Sequence, residues 1–127
     1  MIPKFRAYDS GSLSRMYNPD EVMVGDGNIW IIDEDSVAGD WIVNNDIHLM
    51  QSTGLVDKND QEIFEGDILK SNKYITSVFY EDGAYCVKFR RTPNTTVTMN
   101  VISFIEKYKT RIVGNIYENP ELLEVKE

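Results

Sequence analysis

The 127-residue sequence holds one cysteine, one histidine and no long apolar run. The single cysteine, Cys86, excludes an internal disulfide and with it the stapled scaffolds of small secreted proteins. It lies in the alternating stretch Ala-Tyr-Cys-Val-Lys-Phe with no histidine nearby, and reads as a buried structural thiol, not a nucleophile. The single histidine, His48, has no co-ligands, so no zinc site is expected. No apolar run approaches the roughly 20 residues that cross a bilayer, and the start of the chain, Met-Ile-Pro-Lys-Phe, lacks the apolar core of a signal peptide. These absences point to the cytoplasm and to no membrane partner. There is also no glycine-rich phosphate loop, because Gly25 and Gly27 lie in an acidic turn that would repel phosphate. No Ser, Thr or Cys sits in a nucleophile motif, and no cofactor is expected.

What is present is acidic and aromatic. Net charge is −8, with seven Tyr, five Phe and two Trp. Residues 1–66 hold 13 acids against 4 bases, so the acidity belongs to the N-terminal half. That half reads as solvated loops; the sharper alternative is an acidic face for a basic partner, or one that mimics DNA. Residues 67–117 carry 8 bases against 4 acids. Aromatic and β-branched residues favour strands, since flat and branched side chains fit a pleated, half-buried surface.

The pattern of turns predicts an all-β protein with minor α. Lys4–Tyr8 alternates and pairs back with Leu13–Tyr17 across Asp9-Ser10-Gly11-Ser12. Val22–Val24 and Ile29–Ile32 flank a Gly-rich turn and form a second hairpin. Residues 33–40 read as an acidic surface loop, with a short helix somewhere in 33–43 as the alternative. Trp41–Val43 and Ile47–Met50 are set apart by Asn44-Asn45-Asp46, a further tight turn. The chain is organised around Leu49–Leu69, two apolar runs joined by turn residues Gly54, Asp57, Asn59 and Asp60. Tyr74–Tyr80 and Ala84–Arg90 around Asp82-Gly83 give the strongest hairpin signal, and Thr95–Met99 extends it. Val101, Ile102, Phe104, Ile105 and Tyr108 then line one face of two helical turns, with Asn100 or Ser103 as cap. Arg111–Tyr117 is a last strand, after which Leu122 and Leu123 tuck against the body. Residues 57–127 are thus expected to form a small SH3-like β-barrel lobe with one short helix near 101–108. Residues 1–56 add a lobe of β-hairpins, the two making one compact unit.

Little in this pattern carries chemistry. Glu62, Glu65 and Asp67 could gather around a divalent metal as in a nuclease, but no partner acid or base follows from spacing. Counting from Asp57, a calcium loop would need Gly at its sixth position and an acid at its twelfth, which are Glu62 and Ile68. Asp57 and Asp67 read as acceptors for backbone amides at turns and strand starts, leaving no catalytic and no metal residues. The positive candidates are Lys88, Arg90 and Arg91, basic residues beside Tyr85 and Phe89, which could hold single-stranded nucleic acid by phosphate contact and stacking. Period two sets Tyr85, Val87 and Phe89 on one face and Lys88 and Arg90 on the other, which argues against stacking.

Three stretches are similar to a known family: Phe5-Arg6-Ala7-Tyr8-Asp9, the run from Met50 through Ile68, and Ile112-Val113-Gly114-Asn115-Ile116-Tyr117-Glu118-Asn119-Pro120-Glu121-Leu122-Leu123. In order and spacing they resemble the YopX-like proteins of bacteriophages and prophages of Gram-positive bacteria. The resemblance implies a largely β, phage-encoded accessory protein in the host bacterial cytoplasm, with no catalytic residues to carry over. The expected function is that of a non-enzymatic, homo-oligomeric β scaffold binding a host or phage macromolecule. The alternative is single-stranded nucleic-acid binding by the C-terminal lobe.

Overall fold

A computed structural model of the chain describes residues 3–11 and 14–124. Ser12 and Leu13, expected in the first turn and at the start of the second strand, lie outside the described residues. The described chain is mostly antiparallel β-sheet with one short α-helix. It divides into two units, Met1–Ser52 and Thr53–Glu127.

In the first unit, β1 (Phe5–Asp9) lies between β2 (Arg15–Tyr17) and the start of β6 (His48–Val56). Ala7 stands opposite Tyr17 on one side and Leu49 on the other. A second sheet runs β3 (Val22–Gly25), β4 (Asn28–Ile32), β5 (Trp41–Val43). Ala7, Tyr17, Val22, Ile31 and Ile47 form the unit's core. The pairing of β6 is non-local. Asn45 and Asp46 do turn the chain, but the runs on either side are not hairpin partners; β5 pairs with β4, and β6 pairs with β1. Residues 33–43 hold turns and a strand, not a helix: Asp33 accepts Ser36 N–H, and Ser36 accepts Gly39 N–H. Gly54 does not turn the chain either. It sits inside nine-residue β6 with φ +78°, a left-handed kink that glycine accepts without a Cβ clash.

In the second unit, the end of β6 meets β7 (Glu62–Phe64). A five-stranded antiparallel sheet then runs in the order β11 (Thr95–Asn100), β10 (Ala84–Thr92), β9 (Ile75–Glu81), β8 (Asp67–Lys70), β12 (Arg111–Asn115), curled into a half-barrel. Asp82 and Gly83 join β9 to β10 with φ of 51° and 83°. Positive φ at both central residues is what a two-residue turn matched to strand twist requires. Helix α1 (Val101–Lys107) lays Val101 and Phe104 on the concave face, against Ile63, Leu69, Val78, Val87 and Phe89. Phe104 and Tyr108 meet Phe89 at ring distances of 5.4 and 6.1 Å, and Tyr74 closes the cluster at 4.3 Å from Phe89. Asn100 occupies the helix cap position but makes no side-chain cap bond; its Oδ1 instead lies 3.7 Å from the Cys86 thiol. At the tail, Leu123 is half-buried while Leu122 is exposed. Among the described residues no helix is long and apolar enough to cross a membrane.

Candidate functional site

The central acids are occupied by backbone. Asp57 is buried, and its Oδ1 accepts the amides of Asn59 at 2.8 Å and Gln61 at 2.9 Å. Its Oδ2 accepts the Ile112 amide at 2.9 Å, so one carboxylate shapes the 57–61 turn and fastens it to β12. Lys58 N–H adds a bond to Thr110 carbonyl at 3.0 Å. Asp67, 1% exposed, accepts the Phe64 amide at 2.7 Å across the Gly66 turn. Among the described residues no three His, Cys, Asp or Glu side chains converge to hold a metal, and Glu62, Glu65 and Asp67 form no such group. His48 Nε2 lies 3.0 Å from the Ser10 hydroxyl. Burial, with Glu65 and then Tyr80 adding to it, pushes the Tyr85 phenol above its ordinary value.

The basic residues have a different arrangement. Along β10, Lys88 and Arg90 are exposed, while Val87 and Phe89 between and before them are buried. Arg91 is the extra residue of a bulge, where pairing with β11 slips between Arg90 and Thr92. The three cations line an open groove of about 860 Å³ with Lys73, Ile75, Ser77, Thr96 and Leu123. Phe89 faces the core, and the half-buried Tyr74 lines the groove, with Lys73 Nζ 5.7 Å from its ring. The exposed ring near this hairpin is Tyr80, which packs on Tyr85 at 5.1 Å beside the Asp82-Gly83 turn.

The antiparallel order brings more cations to one end of the sheet. β8 finishes at Lys70, β9 begins after Lys73, β10 finishes past Arg91, and β12 begins at Arg111. Antiparallel neighbours put these strand ends side by side. Glu81 and Asp82 are at the opposite end, in the β9–β10 turn. Lys58, Lys70, Lys109 and Arg111 line a hollow of about 260 Å³ with Ser71 and Asn72. Among the described residues none of these four cations, nor Lys73, Lys88, Arg90 or Arg91, makes an ion pair. Sequence reading missed this second group because Lys58 is far from Lys109 in the chain. The excess of bases in residues 67–117 was the available signal; which of them share a strand end follows only from the pairing.

The first unit contributes an apolar face. Met23, Trp30 and Val43 stand in register across β3, β4 and β5, and Trp41 shares the face of Val43 two residues away. Met23 and Val43 are 45% and 44% exposed. Val24 and Ile42, on the other face, are exposed as well.

These features define an all-β protein of antiparallel sheets with a single short helix, its polar residues committed to turns and to a basic strand end. The chain belongs to the YopX family, whose model, described as YopX protein, matches residues 4–124. It is similar to protein EF1440 from Enterococcus faecalis, a crystal structure with 31% sequence identity and a TM-score of 0.63 over 98% of this chain and 99% of that one. No curated protein matches the chain.

Proposed function

We propose that this protein is a non-enzymatic β scaffold, a phage or prophage accessory protein of the bacterial cytoplasm that binds a macromolecule and self-associates. The observation that carries this reading is the face of Met23, Trp41 and Val43, large apolar side chains open to solvent on a three-stranded sheet around the half-buried Trp30. Contiguous exposed apolar surface of this kind marks contact surfaces, since a monomer gains nothing by leaving it wet. The curled sheet of the second unit supports its description as a small SH3-like barrel. The test is the mass in solution by light scattering on a sizing column. A 14.6 kDa chain is expected to elute as a dimer or larger, and Val43→Asp with Met23→Lys is expected to return it to monomer with an unchanged circular dichroism spectrum. A wild-type monomer that captures no partner from lysogenic cells would end this reading.

A second reading, nucleic-acid binding by the second unit, is favoured by one observation: eight exposed cations without an ion pair among the described residues, ranged along one sheet end and the outer face of β10. The ring beside the cations, Tyr74, is half-buried and packs on Phe89, so the contact would be chiefly to backbone phosphates.

A further inference from the structure

We infer that the hollow between Lys58, Lys70, Lys109 and Arg111 is a phosphate site that holds the backbone of a nucleic acid. This rests on the nucleic-acid reading but places its anchor away from Lys88, Arg90 and Arg91.

The first reason is register. Arg111 and Lys70 are direct partners across β12 and β8. Residues directly opposite on antiparallel strands have their Cβ atoms about 5 Å apart, and like charges there repel. A cross-strand pair of this sort is normally relieved by an acid. Here Asp57, whose carboxylate holds the Ile112 amide next to Arg111, is buried and spends both oxygens on three amides. Asp60, exposed in the same turn, pairs with none of the four.

The second reason is rigidity. The Lys58 amide is bonded to Thr110 carbonyl, between Lys109 and Arg111 in the chain. On the other wall Ser71 Oγ accepts the amides of Lys73 and Tyr74 at 3.2 and 3.0 Å, fixing the turn after Lys70. The cations therefore project from backbone that is already set. The Asn72 amide makes no hydrogen bond among the described residues and adds a neutral donor. Four cations and donors converging without a counter-charge suit a phosphodiester oxygen pair, with Arg111 supplying the fork geometry that phosphate accepts.

The site makes two effects of one substitution run in opposite directions. Removing a charge from the Lys70–Arg111 pair relieves repulsion and weakens ligand binding. A residue with only a structural role would lose both together.

The experiment is fluorescence anisotropy of labelled oligothymidylate against the full chain, from about 50 to about 200 mM salt, where phosphate contacts dominate the salt response. Lys70→Gln/Arg111→Gln is expected to weaken binding at least about tenfold and to lower the single-strand salt slope by about 1.4, about 0.7 for each lost contact. Its Tm at low salt is expected to rise or hold. Lys70→Arg is expected to keep binding, and Lys88→Gln/Arg90→Gln to cost less than the double variant. If Lys70→Gln/Arg111→Gln keeps its affinity and slope, the inference is wrong. Should Lys88→Gln/Arg90→Gln then abolish binding, the nucleic-acid reading survives with another anchor. If the wild type binds no oligothymidylate, both fall, even where inorganic phosphate shifts the amide signals around Arg111.

Discussion

The fastening of the 57–61 turn to β12 by one carboxylate gives a sharp test of the second unit. Replacing Asp57 with Ala removes the acceptor from three amides, those of Asn59, Gln61 and Ile112. A hydrogen bond to a charged group is worth about 1.5–3 kcal/mol, and a buried donor left alone costs about 1–3. Asn59 and Gln61 are exposed and can recover much of their loss from water, whereas Ile112 is half-buried and cannot do so as readily. The sum is about 3–5 kcal/mol, a large fraction of the 5–15 kcal/mol that holds a domain of this class. Asp57→Asn should lie between, because one oxygen remains for the two turn amides while an NH₂ faces the Ile112 donor; about 1–3 kcal/mol is expected. Urea unfolding followed by tryptophan-independent far-ultraviolet dichroism reads the difference. With a slope near 1.5 kcal/mol/M, the alanine midpoint falls by about 2–3 M and the asparagine midpoint by less. A loss under about 1 kcal/mol in Asp57→Ala would refute the assignment of Asp57 as the fastener, as would an asparagine variant no better than alanine.

Three further outcomes are expected. Phe104→Ala empties the centre of the half-barrel, where Phe104 is fully buried against Phe89 and Tyr108, and should cost about 3–5 kcal/mol by the same unfolding assay. Gly114→Ala sets a Cβ 2.5 Å from Asn119 Oδ1 and 2.9 Å from its Cβ, so a loss of about 1–3 kcal/mol is expected from overpacking at the β12 bulge, visible as a lower Tm. Tyr85 holds its proton more tightly folded than unfolded, because burial raises it above 10.0. Stability that is full below that pH should therefore fall as pH climbs through the raised value, and Tyr85→Phe should flatten that alkaline fall in a Tm-against-pH series.

The parts of the fold readable in the sequence were those with local causes. Asp82-Gly83 between two β-branched and aromatic runs names both the turn and its two strands, because only a few residue pairs accept positive φ twice in succession. Spacing of Val101, Phe104 and Ile105 marks α1, since only a helix puts these on one side. Asp57 and Asp67 were legible as backbone acceptors from their turn contexts. What failed was non-local or concealed by glycine. Gly54 looks like a turn, yet it sits kinked within a strand that pairs with β1 more than forty positions earlier. Nothing near Ile47 says that its strand ignores the neighbouring Trp41–Val43. Asn100 stands at the cap position of the helix, but its side chain makes no cap bond and lies against Cys86. Of the basic residues, Lys88, Arg90 and Arg91 are neighbours in sequence and were visible as a group. Lys58, Lys70, Lys109 and Arg111 become a group only through β8–β12 pairing and the Lys58–Thr110 bond.

The separation of charge in the second unit follows from where its carboxylates are used. Asp57 and Asp67 are buried and accept backbone amides, and Asp57, with both oxygens taken by three donors, has little left to offer a lysine. Glu81 and Asp82 are held at the far end of the sheet, with Asp82 at a position that tolerates left-handed backbone. The cations at the near end thus lie among acids that are present in the sequence yet committed elsewhere. A chain of net charge −8 should repel polyanions on average, and the same chain presents one end at which that average does not hold. Polyanion binding there would depend on the local field within a Debye length of about 10 Å, not on the net charge. Raising salt should therefore weaken oligonucleotide binding at this end even though it also screens the overall repulsion, and the sign of that response tells which of the two fields the ligand feels.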